Sequence, residues 1–455
     1  MIYHIQEKNI MTNAVMIAGT HSGVGKTTAA LGLMAAISKR GGSVQPYKVG
    51  PDFIDPSHHT AICNTPSRNL DTYIMGTQGV HESYAKTQGA DISIIEGVMG
   101  LYDGLDATDT ASSAHVAKTL GVPVVLVVNV HGMSRSAAAI VKGYQAMDPE
   151  VNIAGLILNR VGSPRHRKLV EDGLKGSGID IPVIGTLPTN KELSIPSRHL
   201  GLYMAHEETQ DYGKLADFIE SNIDLDALIE ISSLAENPLI PVEVERQQAD
   251  VRIGVAMDGA FCFYYQDMLD DLIRWGAEII TFSPIADELP NVDGLILGGG
   301  YPELYASQLS SGTAIDDIKK AAQDGMPVYA ECGGLMYLGN NLEVDGKRYA
   351  MAGVLDAESR MVQRFQALGY TQAEVNHNNP LSLKYQSARG HEFHYSITDV
   401  ARDAKFAYSM KRGKGIHEGL DGIMAYNTLA SYMHTHPASV SMERFVESCR
   451  KYNRK

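Results

Sequence analysis

The chain has 455 residues, 44% of them hydrophobic and 20% charged, which leaves room for two or three globular domains with sizeable cores. A formal net charge of −14 argues against general nucleic-acid binding, and it requires that any anionic substrate meet a locally positive site. No run of about eighteen apolar residues is present, so no membrane span is expected. The four cysteines (Cys63, Cys262, Cys332, Cys449) are scattered without a CxxC pair, which argues against a disulfide framework or structural zinc site and fits a reducing cytoplasm.

Met1 to Asn13 mixes charge and polarity, lacks the apolar core of a signal sequence, and reads as a short extension before the first strand. Val15-Met16-Ile17-Ala18 is a short buried strand. It runs into Gly19-Thr20-His21-Ser22-Gly23-Val24-Gly25-Lys26-Thr27-Thr28, after which helical spacing carries on to Lys39 and stops at Gly41-Gly42. Strand, glycine-rich loop and helix are the setting a phosphate loop requires. Backbone N–H groups at the helix start cradle phosphates, Lys26 reaches the β- and γ-phosphates, and the Thr27 hydroxyl ligates Mg²⁺. Gly23, Gly25, Lys26, Thr27 and Thr28 are therefore the expected nucleotide-binding residues. The spacing departs from Gly-x4-Gly-Lys-[Ser/Thr], because Thr20 stands where the first glycine belongs and Gly19 lies one residue earlier.

Val44 to Tyr47 is a second strand, followed by Lys48-Val49-Gly50-Pro51-Asp52-Phe53-Ile54-Asp55-Pro56. Two acids three apart in a Pro-bounded loop either face one site or cap turns. Ile92 to Ile95 delivers Glu96 to the C-terminal end of a buried strand, where open parallel sheets bind ligands. Mg²⁺ needs few carboxylates beside phosphate oxygens and water, so Thr27, Asp52 and Glu96 are the expected metal set, with Asp103 a further candidate. Val122 to Val128 and Ile153 to Leu158 are further apolar runs. Strands alternating with helix-like segments predict a parallel sheet covered on both faces. Glu207 to Asp250 is acidic, carries no strong strand, and reads as a terminal helix followed by a linker. The expected organisation is a phosphate-loop domain over 14–235, a linker over 236–250 and a second α/β domain over 251–455.

In that second domain, Val251 to Ala256, Glu278 to Phe282 and Gly294 to Leu297 read as strands, and Leu269 to Trp275 and Ile315 to Gln323 as helices. Pro327-Val328-Tyr329-Ala330-Glu331-Cys332-Gly333-Gly334-Leu335 is an apolar run that ends in a cysteine and two glycines before a helix. That pattern holds a nucleophile on a tight strand-to-helix turn. The base expected for Cys332 lies in Ala430-Ser431-Tyr432-Met433-His434-Thr435-His436-Pro437. Gly298-Gly299-Gly300 and the N–H of Gly333 are the expected oxyanion donors. Signals after Lys347 are shorter and more β-like, ending in a helix from Ser441 to Tyr452.

The whole chain from about Val15 resembles the cobyrinic acid a,c-diamide synthases. The resemblance rests on the phosphate loop, the Lys48 to Pro56 segment, and Glu96-Gly97-Val98-Met99-Gly100-Leu101-Tyr102-Asp103-Gly104. It continues through Pro196-Ser197-Arg198-His199-Leu200-Gly201-Leu202, Gly298-Gly299-Gly300-Tyr301-Pro302-Glu303, Cys332-Gly333-Gly334-Leu335-Met336-Tyr337-Leu338, Gly390-His391-Glu392-Phe393-His394-Tyr395-Ser396 and the His434 segment. It implies an N-terminal P-loop NTPase domain similar to dethiobiotin synthetase and a C-terminal class I glutamine amidotransferase-like α/β domain. It also implies amidation of two corrin acetates with ATP, Mg²⁺ and glutamine, with Cys332 and His434 as the catalytic pair. Lys48, Asp55, Asp103 and Arg198 are the substrate candidates it leaves; the Arg165-His166-Arg167 cluster reads as a solvated loop. Class I relatives place a glutamate two residues after the base, where this chain has His436. Relatives of the synthetase fold pair through that domain, so a homodimer is an open expectation. A near neighbour that amidates nickel sirohydrochlorin uses the same motifs. The alternative of another class, a P-loop ATPase switch, is disfavoured because His21 stands where such switches carry a second lysine.

Overall fold

The computed structural model describes residues 13–87, 89–190, 197–198, 201–207, 211–236 and 245–453. The chain divides into two compact units, Met1–Glu243 and Val244–Lys455.

The first unit is built on seven strands: β1 (Ala14–Gly19), β2 (Val44–Val49), β3 (Arg68–Leu70), β4 (Ile92–Glu96), β5 (Val124–Asn129), β6 (Ile153–Val161) and β7 (Val183–Pro188). Their order is β3-β2-β4-β1-β5-β6-β7 and every pairing is parallel. β1, β2 and β4 are buried along their whole lengths, as strands covered by helices on both faces must be. Helix α1 (Lys26–Lys39) follows β1 directly. It packs tightly on the helix Tyr212–Asn222, because a Cβ on Gly32 would lie 2.3 Å from Ile219. The acidic segment after Glu207 therefore holds two helices, Tyr212–Asn222 and Leu225–Ser232, where sequence spacing predicted one. Asp211 and Asp224 cap them, and Ala216, Ile219, Leu225, Leu228 and Ile231 join the core.

The second unit holds a ten-stranded mixed sheet. Ala277–Phe282, Val251–Ala256, Gly294–Leu297, Val328–Glu331 and Thr428–Ser431 are parallel neighbours in that order. Leu420–Ala425, Lys405–Arg412, Ala367–Val375, Ser387–His394 and His434–Thr435 continue it antiparallel. The chain steps from Ser431, in the middle of the sheet, to His434, on its edge, so the sheet curls back on itself. Gly390 permits this closure, since any Cβ there would sit 2.0 Å from the His434 carbonyl oxygen. A separate four-stranded sheet comprises Lys347–Ala350, Asn341–Val344, Ala357–Met361 and Ser396–Val400. The last helix is Met442–Asn453.

Candidate active sites

The first site forms at the C-terminal ends of β1, β2 and β4, where the strand order reverses around β1. Gly25 caps α1 with φ +100°, and a Cβ there would strike Asn159 Nδ2 at 2.2 Å, so the loop needs glycine at this point. Asn159 Nδ2 donates to the Val24 carbonyl at 2.7 Å and ties the loop to the end of β6. A cavity of about 420 Å³ opens beside it, lined by Gly23, Lys26, Thr27, Thr28, Asn159 and Arg160 among others. Burial, and then the charge of Lys48, hold the Lys26 ammonium below its usual range.

Glu96 is fully buried and gathers the site around itself. One oxygen accepts the Thr27 hydroxyl at 2.5 Å and lies 3.0 Å from Lys48 Nζ; the other lies 2.8 Å from His59 Nε2. Burial alone pushes this carboxyl up, but Lys48, His59 and Thr27 outweigh it and hold it below the usual range. Lys48, also buried, reaches Asp55 at 2.5 Å, Asp52 at 3.8 Å and the Gly97 carbonyl at 3.4 Å. Burial opposes its charge, yet Asp55, Glu96 and Asp52 raise it further. Asp55 is shifted well up, by burial first and then by Asp52 and Glu96. Asp52 fulfils both readings: Oδ1 accepts the N–H of Ile54 at 2.8 Å as a turn cap, and Oδ2 faces Lys48.

Asp103 accepts the N–H of Gly100 at 2.9 Å and shapes the loop after β4. It borders a cavity of about 610 Å³ with Met99, Tyr102, Thr108 and Asp148. Arg198 lies in the short strand Ser197–Arg198, and its side chain falls outside the described residues. The Arg165-His166-Arg167 cluster is no loop. It forms the first turn of the helix Pro164–Lys175, capped by Ser163, with Arg167 paired to Glu171 at 2.7 Å.

The second site is a strand-to-helix elbow. Cys332, 5% exposed, takes φ +45° and ψ −93°, a conformation a non-glycine residue adopts only when its surroundings enforce it. Its N–H is held by the Ser431 carbonyl at 2.7 Å, and the helix Gly333–Leu338 follows. Gly334 donates to the Gly298 carbonyl at 3.1 Å; a Cβ on it would sit 2.2 Å from the Leu297 carbonyl, so the strand ends and the elbow interlock. His434 packs on Gly299, where a Cβ would strike its Cε1 at 2.4 Å. Burial works against its charge, but hydrogen bonds and charges from Cys332 and Glu331 raise the imidazole to about 10. His391 stacks on it at 4.8 Å and is kept neutral, by burial first and then by the His434 charge. The expected donor Gly298 is already committed, since its N–H donates to the Tyr264 hydroxyl at 2.8 Å. A Cβ on Gly333 would come within 3.3 Å of Gly300 N, so these two amides border the same space.

Residues 15–202 match the family model of the CobQ/CobB/MinD/ParA nucleotide binding domain, and residues 252–441 match that of the CobB/CobQ-like glutamine amidotransferase domain. A cobyrinate a,c-diamide synthase of Listeria innocua is 45% identical over 436 residues, covering 93% of this chain and 96% of that one. The chain belongs to this family. The Methanosarcina barkeri member is 42% identical, covering 95% of this chain and 94% of its own, and the Archaeoglobus fulgidus member is 43% identical, covering 96% and 97%.

Three residues at the two sites escaped sequence reasoning: His59, Asn159 and Glu331. Asn159 and Glu331 carry the signal that exposed Glu96, a polar side chain at or near the C-terminal end of an apolar strand. His59 carries none, because its partner Glu96 comes from a distant segment.

Proposed function

We propose that this protein amidates the a- and c-acetate carboxylates of cobyrinic acid, or of its metal-free counterpart, in cobalamin biosynthesis, using ATP and glutamine. The observation that carries this reading is a phosphate loop with a buried Thr27–Glu96–Lys48 cluster and a Cys332–His434 elbow in one chain. Relatives bearing that activity's name match nearly the whole length.

Cys332 passes its proton to His434 and attacks the carboxamide carbon of glutamine. The backbone amides of Gly300 and Gly333, which border the same space, are the proposed oxyanion donors. Ammonia leaves with the proton His434 returns, and water then releases glutamate from the thioester. In the first unit Lys26 and the loop amides hold the ATP phosphates while an acetate oxygen attacks the γ-phosphorus and displaces ADP. Ammonia attacks the resulting acyl phosphate, forming the amide and releasing phosphate.

The donor set of the first site fits Mg²⁺: a hydroxyl and carboxylates are the hard oxygen ligands that ion takes, and Glu96 is held ionised. Thr27, Glu96 and Asp52 would hold it, and it would neutralise charge on the phosphates. Among the described residues no three His, Cys, Asp or Glu side chains converge to hold a cation unaided, so phosphate oxygens and water would complete its shell. Lys48, Asp55, Asp103 and Arg198 are the proposed substrate-site residues, with Lys48 and Arg198 supplying the positive charge for the substrate carboxylates.

The test is incubation with Mg-ATP, glutamine and a panel of tetrapyrroles, cobyrinic acid and nickel sirohydrochlorin among them, read by mass spectrometry for the gain of two amides. Cys332→Ser should lose glutamine use and retain amidation with added ammonia. Glutamine-dependent amidation persisting in that variant would remove Cys332 from the mechanism. ATP hydrolysis indifferent to glutamine and to every tetrapyrrole would instead support a switch ATPase.

A further inference from the structure

A catalytic histidine needs a partner on its second nitrogen to fix its tautomer and its aim. Position 436 does not provide one to His434. His436 is turned elsewhere: Nε2 lies 3.2 Å from Asp267 Oδ2, Nδ1 accepts the N–H of Ala438 at 3.1 Å, and its ring meets Tyr265 edge-on at 5.0 Å. The carboxylate that reaches His434 comes from the other side of the elbow. Glu331 Oε2 lies 3.4 Å from His434 Nδ1, and both side chains are 3% exposed. The other Glu331 oxygen is clamped. It accepts the N–H of Thr435 at 2.8 Å and the hydroxyl of Tyr329, which also contacts Thr435 Oγ1 at 2.7 Å. Glu331 closes the strand before the nucleophile, and Thr435 follows the base. This clamp therefore fixes one carboxylate against both members of the catalytic pair.

We infer that Glu331, the residue immediately before the nucleophile, is the positioning carboxylate of His434, and that His436 and Asp267 form a separate buried pair outside the catalytic relay. With Nδ1 facing Glu331 at 3.4 Å, the imidazole is set to present Nε2 to the thiol. The register makes this possible, since an elbow that aims Cys332 at the base leaves the preceding side chain on the flank of the same histidine. The groups facing His434 are then Cys332, Glu331, His391 and, at longer range, His394, and Glu331 is the anion that survives when Cys332 is acylated. It keeps the imidazole oriented while the thioester waits for water. The raised imidazole range is consistent with this neighbour.

The inference rests on Cys332 and His434 as the glutamine-hydrolysing pair, so the experiment separates the two claims. Glutaminase activity is measured across pH for Cys332→Ser, Glu331→Gln, Glu331→Asp and Asp267→Asn in the full chain, with ammonia-dependent amidation and Trp275 fluorescence as controls. Glu331→Gln should lower glutamine-dependent kcat on the order of a hundredfold. KM for glutamine should change little, the basic limb of the profile should move to lower pH, and the ammonia-dependent rate should be kept. Glu331→Asp should recover part of the rate, and it carries the test alone if the Gln variant fails to fold. Asp267→Asn should leave the pH profile where it is. A Glu331→Gln enzyme within about threefold of the parent with an unmoved basic limb overturns the assignment. So does a loss with a shifted limb in Asp267→Asn alone. Full glutaminase activity in Cys332→Ser would defeat the underlying pair instead, leaving Glu331 with no base to position.

Discussion

Replacing Lys48 by Met tests whether one buried ammonium holds the first site together. The substitution keeps the length of the stem and removes the charge from a position 2% exposed. Glu96 retains His59 at 2.8 Å and the Thr27 hydroxyl at 2.5 Å, whereas Asp55 loses its ion-pair partner at 2.5 Å. Removing one member of a buried pair costs about 3–5 kcal/mol, because the survivor stays desolvated and unpaired. Lys48 serves two such carboxylates, so the upper half of that range is expected at pH 8. The loss should shrink as pH falls. In the parent, Glu96 is held well below its unfolded range, so its stabilisation stays essentially full from pH 8 to pH 5. In the variant, Glu96 and Asp55 move upward, so proton uptake relieves the fold instead. The assay is urea unfolding at pH 8 and pH 5, with hydrogen exchange of peptides spanning β2 and β4. The single tryptophan, Trp275, lies in the other unit and reports that unit's transition separately. A penalty under about 1 kcal/mol at pH 8, or one equal at both pH values, would refute the claim that Lys48 is the charge balancing this cluster.

Gly25→Ala combines a positive φ of +100° with a Cβ 2.2 Å from Asn159 Nδ2, so nucleotide affinity measured by calorimetry should fall at least about tenfold while the Trp275 transition stays in place. Asp421 is buried and pushed up to about 7, since burial outweighs the N–H donors Tyr432, Gly422 and Met433. Its contribution is therefore full below about pH 4 and lost as pH rises through 7, so the second unit's urea midpoint should fall between pH 5 and pH 8. Asp421→Asn should flatten that slope, and an unchanged slope would discount the carboxyl.

Most of the fold was legible because its signals are local. β1, β2 and β4 are short apolar runs ending in Gly19, Val49 and Glu96, and each deposits a recognisable polar loop at the same edge of the sheet. Arg68–Leu70 escaped notice because three residues carry no period, and it is a strand only through its pairing with β2. The two helices after Glu207 were legible only as one, since Asp211 and Asp224 act as caps through hydrogen bonds that composition cannot show. At the sites, Cys332 and Lys26 announce themselves by their glycines. The partners that tune them do not. Glu331 lies in plain sight beside the nucleophile, yet its role depends on the curl that brings residue 434 back to the elbow.

The acidity of the chain, which seemed at odds with anionic substrates, has a local counterpart. Asp52, Asp55 and Glu96 crowd around a single Lys48, and burial weakens the charge of Lys26 beside them. Two ammonium groups, one of them held below its usual range, face three carboxylates, one of them shifted up toward the neutral form. Such a site is close to neutral or slightly negative, and a bare polyphosphate would gain little from it. On the proposed function, a nucleotide arriving with its divalent cation would change the balance: Glu96 and the Thr27 hydroxyl would hold the cation, leaving the loop amides and Lys26 for the phosphates. The carboxylates would thus favour the metal-bound nucleotide, and the Lys48 ammonium among them offsets their mutual repulsion.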